Sequence, residues 1–213
     1  MSPAWSLAAA IIGYFFGSLP FGYIVARAHG VDIFKVGSGN PGATNVKRVL
    51  GERFGEKGRR AGNLVFALDA VKGALAASWP MLPFLHAPEA RLLGLIGVIA
   101  AVLGHSFSMF TKFKGGKGVA TAAGGLVVLI PVSCLIGALV WLTTFAITRY
   151  VSLGSILAAV AVPTACWLRG NPLPFILVSS LVGVFVIFRH RENIKRLMAG
   201  TESKFAKKPP AQP

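Results

Sequence analysis

Charged positions divide the chain into long apolar blocks. From Trp5 to Ala26, 22 residues pass without a charge, and Arg27 closes the block. That is enough helix to cross a hydrocarbon core of about 30 Å. A second block covers 61–85 and carries only Asp69 and Lys72 as charges; a turn containing Pro and His follows it. The third covers 92–110. Beyond a short basic stretch, 70 residues from Val119 to Phe188 hold two charges, Arg149 and Arg169. Pro131, the Arg149–Tyr150 junction and the Asn-Pro-Leu-Pro run at 171–174 break this region into pieces at about 119–130, 132–148, 152–168 and 173–188. If the basic loops share one side, an even number of crossings lies between Lys117 and Arg189. Four short crossings satisfy that, and so do two long ones. The pattern predicts an all-α integral membrane protein. It is a polytopic helical bundle with seven transmembrane helices preferred and five as the alternative, built as a single domain over 1–213.

Composition supports the bilayer as solvent. The chain is 54% hydrophobic and 14% charged, against about 25% charged in an ordinary soluble domain. Its mean hydropathy is +0.66. A soluble fold of this size could not bury so much apolar side chain, and disorder would leave it wet. Cys134 and Cys166 lie in apolar runs, so they read as small core residues rather than a disulfide framework or a metal site. No metal and no cofactor is expected.

Charge sets the orientation. Lys and Arg number 22 against 7 Asp and Glu. Nineteen of the cations fall at 27–60, 112–117, Arg149 and 189–208, separated by apolar runs. That is the positive-inside pattern; a nucleic-acid partner would not require apolar runs between its basic clusters. It predicts the N-terminus outside, the C-terminus inside, and cytoplasmic segments at about 27–60, 111–118 and 189–213. The N-terminus lacks the basic start of a signal peptide.

Three segments carry chemistry. The first, GSGNPGATNVKR at 37–48, packs Ser38, Asn40, Thr44 and Asn45 among three glycines and a proline, then adds Lys47 and Arg48. Free amides and hydroxyls at such density suit a phosphate oxyanion, and glycine lets the backbone approach it. The second, GHSFSMFTKFKGGKGVAT at 104–121, leads through Lys112, Lys114, Gly115, Gly116, Lys117 and Gly118 into an apolar helix. An anion is favoured at such a helix start. The segment is not a Walker A loop, because Thr111 stands where that motif needs glycine. The third, RHRENIKRL at 189–197, continues the last apolar piece. On a continuous helix His190 and Asn193 share one face, and so do Arg189 and Glu192.

These segments, with GTESKF at 200–205 and DAVKG at 69–73, resemble the bacterial acyl-phosphate:glycerol-3-phosphate acyltransferase family, over nearly the whole chain. The resemblance implies an inner-membrane enzyme whose site opens to the cytoplasm. Its substrates would be glycerol 3-phosphate and a long-chain acyl phosphate, drawn in among membrane lipid; its products would be lysophosphatidate and inorganic phosphate. Resemblance and chemistry together give Ser38, Arg48 and Lys114 or Lys117 phosphate binding, with further donors from Asn40, Thr44, Asn45, Lys47, Lys112, Gly115, Gly116 and Gly118. His190 and Asn193 would orient the glycerol hydroxyls, and Glu202 would brace the C-terminal segment. His105, Asp69 and Lys72 are possible site members, the last two as a structural pair or as the site floor. Either His190 or the donor's own phosphate takes the proton, with the donor phosphate favoured. The competing classes are an organic-phosphate transporter and a lipid-binding scaffold. Against both stands the clustering of the polar segments on one side of the bilayer.

Overall fold

The computed structural model describes residues 2–205, and all regular structure among them is helical. Lys207, Lys208 and the end of the 189–213 segment lie outside the described residues. The helices are α1 (Pro3–Ser18), α2 (Phe21–Ala28), α3 (Ala43–Ser78), α4 (Ala90–Ser106), α5 (Val119–Leu129), α6 (Pro131–Thr148), α7 (Val151–Leu168), α8 (Leu173–Arg189) and α9 (Arg191–Met198).

Proline divides α1 from α2. Pro20 has no N–H, so the helical ladder fails there, and side chains from elsewhere in the chain bond carbonyls beside the break. Ser108 Oγ donates to Ser18 O at 2.5 Å, and Lys72 Nζ donates to Leu19 O at 2.8 Å. Glycine divides α3. Gly55 sits at φ 58°, ψ −130°, a left-handed conformation that side chains resist. The two arms fold back on each other, with Leu50 against Gly58 and Lys47 against Gly62. The first polar segment is therefore a turn over 37–42 that runs into one arm of a helical hairpin. The second apolar block ends its α-helix at Ser78, short of the expected Leu85, and continues as 3-10 turns at Trp79–Met81 and Pro83–Leu85.

Small residues draw the spans together. Gly94 and Gly97 press on the carbonyls of Ala77 and Ala76, and Gly124 presses on Ala70. In lipid such close backbone approach replaces the hydrophobic drive as the source of helix association. Leu95, Val98, Val102, Leu126, Leu129, Val182 and Val186 fill the core between α4, α5 and α8. Cys166 is buried in that core with Cys134 packed against it, and both are free thiols.

The chain runs back and forth between two ends. At one, Arg91 donates to the carbonyl of Leu129 at 2.7 Å and covers the ring of Phe175. At the other, Arg189 reaches the carbonyls of Gly115 and Gly116, and Phe205 N donates to Arg149 O. Among the described residues, five helical stretches are long and apolar enough to cross a membrane by length and composition. A sixth arises only if α8 and α9, bent by 57°, count as one. The preferred count of seven is not reached on this measure because α5 has 11 residues, about 16 Å of helix.

Candidate active site

The first segment is built to hold its own shape. Asn45, 4% exposed, accepts from Ser38 N at 3.0 Å and donates to Val36 O at 3.1 Å. Asn40 Oδ1 accepts from Gly42 N at 2.8 Å, closing the turn before α3. Of the four small polar residues expected at phosphate, these two serve backbone. Ser38 stays exposed, while Thr44 and Arg48 are half-buried on the first turns of α3. Lys47 Nζ bonds Asn63 Oδ1 at 2.8 Å and lies 5.5 Å from the ring centre of Phe205, tying this segment to the C-terminal one.

The second segment is a loop clamped on both sides. Lys112 and Phe113 take left-handed φ angles of 53° and 58°, a strained pair. Thr111 Oγ1 spans that turn to Lys114 O at 2.5 Å. Gly116 N donates to His105 O at 3.1 Å, and a Cβ on Gly116 would run into the His105 imidazole. From the opposite side Arg189 Nη2 donates to Gly115 O and Gly116 O at 3.2 and 2.8 Å. Lys112 and Lys114 are exposed, whereas Lys117 is turned inward.

The third segment bends where a continuous helix was expected. His190 caps α8, and α9 starts at Arg191. The bend still buries both named residues, His190 at 3% and Asn193 at 7% exposure. Glu192 pairs with Lys195 and Arg191 instead of sharing a face with Arg189. His190 Nδ1 lies 2.8 Å from Val186 O, so the neutral ring donates there and keeps its lone pair on Nε2. Burial pushes its pKa down to about 4, helped by the charge on Lys117.

Lys117, Asn193 and Glu202 form one chain. Lys117 Nζ donates to Asn193 Oδ1 at 2.5 Å, and Asn193 Nδ2 donates to Glu202 Oε1 at 2.6 Å. Ser152 Oγ shares that oxygen at 2.6 Å, and Arg196 Nε takes Oε2 at 2.7 Å. Burial pulls the Lys117 ammonium down to about 8; Glu202 opposes this, while Arg196 and Arg189 add to it. Burial would raise the Glu202 carboxyl, but its bonds from Ser152, Asn193 and Arg196 outweigh that and hold it below the usual carboxylate range.

Asp69 and Lys72 pair at 2.8 Å inside α3, with side-chain exposures of 4% and 2%. His105 Nδ1 lies 3.5 Å from the same Asp69 oxygen. With Lys114, Gly115, Gly116 and Pro41 these three line a small pocket beside the α1–α2 break. Sequence reasoning passed over Arg189 as a brace of the glycine loop, and over Ser152 and Thr111. The signal for Arg189 was its place at the end of a span, directly before His190.

The chain matches known proteins along nearly its whole length. The model of the family described as glycerol-3-phosphate acyltransferase covers residues 7–200. A glycerol-3-phosphate acyltransferase of Aquifex aeolicus is 42% identical over 200 residues, 94% of this chain and 99% of that protein. One from Agrobacterium fabrum is 45% identical over 208 residues, 97% of this chain and 95% of that protein. Among solved structures, the glycerol 3-phosphate form of PlsY, an integral membrane glycerol 3-phosphate acyltransferase, superposes with a TM-score of 0.83 at 41% identity, covering 94% of this chain and 96% of that one. Its lysophosphatidic acid form gives 0.80 at 40% identity, over 94% and 95%.

Proposed function

Because the chain belongs to the glycerol-3-phosphate acyltransferase family and is a multi-pass integral membrane acyltransferase, we propose that it moves a fatty acyl group from acyl phosphate to the sn-1 hydroxyl of glycerol 3-phosphate. The products are lysophosphatidate and inorganic phosphate, the opening step of phospholipid synthesis. The observation that carries this reading is convergence. Segments far apart in sequence meet through Lys117 and Asn193, through Arg189 and the Gly115–Gly116 carbonyls, and through Lys47 and Phe205.

Two phosphates side by side repel, so the site must surround them with cations. Arg48, Lys114 and Lys117, with Ser38, supply that field. The hydroxyl oxygen attacks the acyl carbon, the bond from that carbon to the phosphate oxygen breaks, and the proton passes to the departing phosphate. A mixed anhydride already has a good leaving group, so no protein nucleophile is needed. His190 and Asn193 position the glycerol hydroxyls, Asn193 by exchanging one of its present partners. Fixed donors then stabilise the charge that develops on the acyl oxygen.

The site opens to the cytoplasm in a bacterial inner membrane, with the N-terminus outside. Seven crossings, α5 among them, agree with the alternation of helix ends, since Leu129 lies beside Arg91 and Gly115 beside Arg189. Lys57→Cys should be labelled from the cytoplasmic side alone; labelling only from outside overturns the orientation. The activity test is purified protein in detergent with acyl phosphate and glycerol 3-phosphate. Phosphate release that requires both substrates and yields lysophosphatidate is expected. Acyl transfer only from a thioester donor, or none, refutes the donor assignment.

A further inference from the structure

Charges within a membrane-spanning helix are expensive unless paired. Asp69 and Lys72 are paired, and two partners would suffice for that purpose. The observed arrangement goes further. Lys72 Nζ also reaches the carbonyl of Leu19, at the α1–α2 break, which it shares with Phe21 N. Asp69 turns the same carboxylate oxygen, Oδ1, toward both Lys72 and His105. His105 in turn holds the second segment twice, its carbonyl accepting Gly116 N and its ring filling the space over the Gly116 Cα. Both outer ends of this buried chain are backbone at irregular places, the α1–α2 break and the glycine loop. The residue after the loop's second glycine is Lys117.

We propose that Asp69, Lys72 and His105 form a positioning cluster that fixes the Gly115–Gly118 loop against the broken first span and so sets where Lys117 meets phosphate. The proposal rests on the reading above that this loop and Lys117 receive a substrate phosphate. The cluster touches no reacting atom. It acts by pressing the loop toward Arg189, which holds the Gly115 and Gly116 carbonyls from the other side. The loop therefore has one position, set by two rigid posts on different helices. A displacement near 1 Å at such a site lowers turnover by about two orders of magnitude.

The test removes both charges together, because deleting one would leave the other buried and unpaired. In Asp69→Asn/Lys72→Met the thermal midpoint in detergent should stay near wild type. Its kcat should fall about tenfold or more while the KM for glycerol 3-phosphate changes little. Gly116→Ala, which displaces the His105 ring, should lower kcat likewise. The combined triple variant should lose little beyond the larger of the two, since both act on one loop. A kcat within twofold of wild type in the folded double variant, or losses that multiply in the triple variant, overturns the proposal. If the double variant does not fold, His105→Asn combined with Gly116→Ala decides by the same criterion. Lys117→Ala separates the two ideas. If it is inactive while the charge-free variant is normal, only the positioning proposal falls. If Lys117→Ala is fully active, the phosphate reading of the loop falls and takes the proposal with it.

Discussion

Two ionic clusters flank the glycine loop, and they are built differently. On the span side, Asp69, Lys72 and His105 have side-chain exposures of 4%, 2% and 9% and end on backbone carbonyls or backbone contacts. On the rim side, the chain from Lys117 through Asn193 and Glu202 ends on Arg196, which is 41% exposed. A dry cluster cannot let go of a partner, because each charge released would be left in a medium of low polarity. A cluster that reaches water can exchange one hydrogen bond for another at little cost, since water and substrate oxygens compete on similar terms. Rigidity is therefore placed on one side of the loop and substrate exchange on the other.

The sharpest way to break this division is to empty the rim side of its cation. Lys117→Ala should lower turnover by about 100-fold or more, the scale of a lost charge-assisted contact to phosphate. Arg48→Ala and Ser38→Ala should lose turnover on the same scale while the protein still inserts and folds. Phosphate release by purified variants, beside their thermal midpoints, measures both effects. Near-normal activity in Arg48→Ala and Ser38→Ala would reduce the first segment to a connector, as its self-bonding Asn40 and Asn45 already partly are.

Glu202 is the next largest lever. Replacing it with Gln keeps a bond for Ser152 but removes the charge that opposes the fall of the Lys117 pKa. The Lys117 ammonium, effective below about 8, would then deprotonate at lower pH. Wild-type kcat/KM should decline as pH rises through about 8, and that decline should begin lower in Glu202→Gln, with turnover near neutrality down on the order of tenfold. Lys117→Arg should remove the alkaline limb from the accessible range, because a guanidinium stays charged. An alkaline limb that both variants leave unmoved would assign the decline to another group.

The spans were legible in the sequence because apolar blocks and their Pro and Arg boundaries are local. The pieces read at 132–148, 152–168 and 173–188 fall within a residue of α6, α7 and α8. The hairpin in α3 was not legible. Gly55 lies in a charged stretch that reads as a cytosolic segment, and the fold-back shows only in the contacts of Leu50 with Gly58 and of Lys47 with Gly62 and Asn63. The site residues were legible as types but not as partners. Asn193 was assigned to the glycerol hydroxyls by resemblance and chemistry, which name no protein partner for it; the 57° bend at His190 brings it onto Lys117 and Glu202. Asp69 and Lys72 could be paired from their i,i+3 spacing, whereas His105 joins them from another helix, beyond the reach of spacing rules.

The smallest expected effect concerns His190, which lies in the field of Lys117 and Glu202 on the rim side. Its buried ring is pushed down to about 4, so it is neutral wherever the enzyme would be assayed. A base with that pKa gains little by accepting a proton from an alcohol, whereas phosphate, with a second pKa near 6, is better matched to neutral pH. The donor phosphate also lies next to the carbonyl under attack. His190→Gln exchanges one neutral hydrogen-bonding side chain for another, so the field at Lys117 should not change. Turnover should fall only severalfold, less than in Glu202→Gln, and the alkaline limb near 8 should stay where it is in the wild type. The measurement is kcat/KM between pH 5 and 9 for wild type, His190→Gln and His190→Asn, with glycerol 3-phosphate binding followed in parallel. If both variants bind glycerol 3-phosphate normally, fold normally and yet release no phosphate, the imidazole is the base. The rim side would then hold a proton acceptor of its own, and the donor phosphate would be only a leaving group.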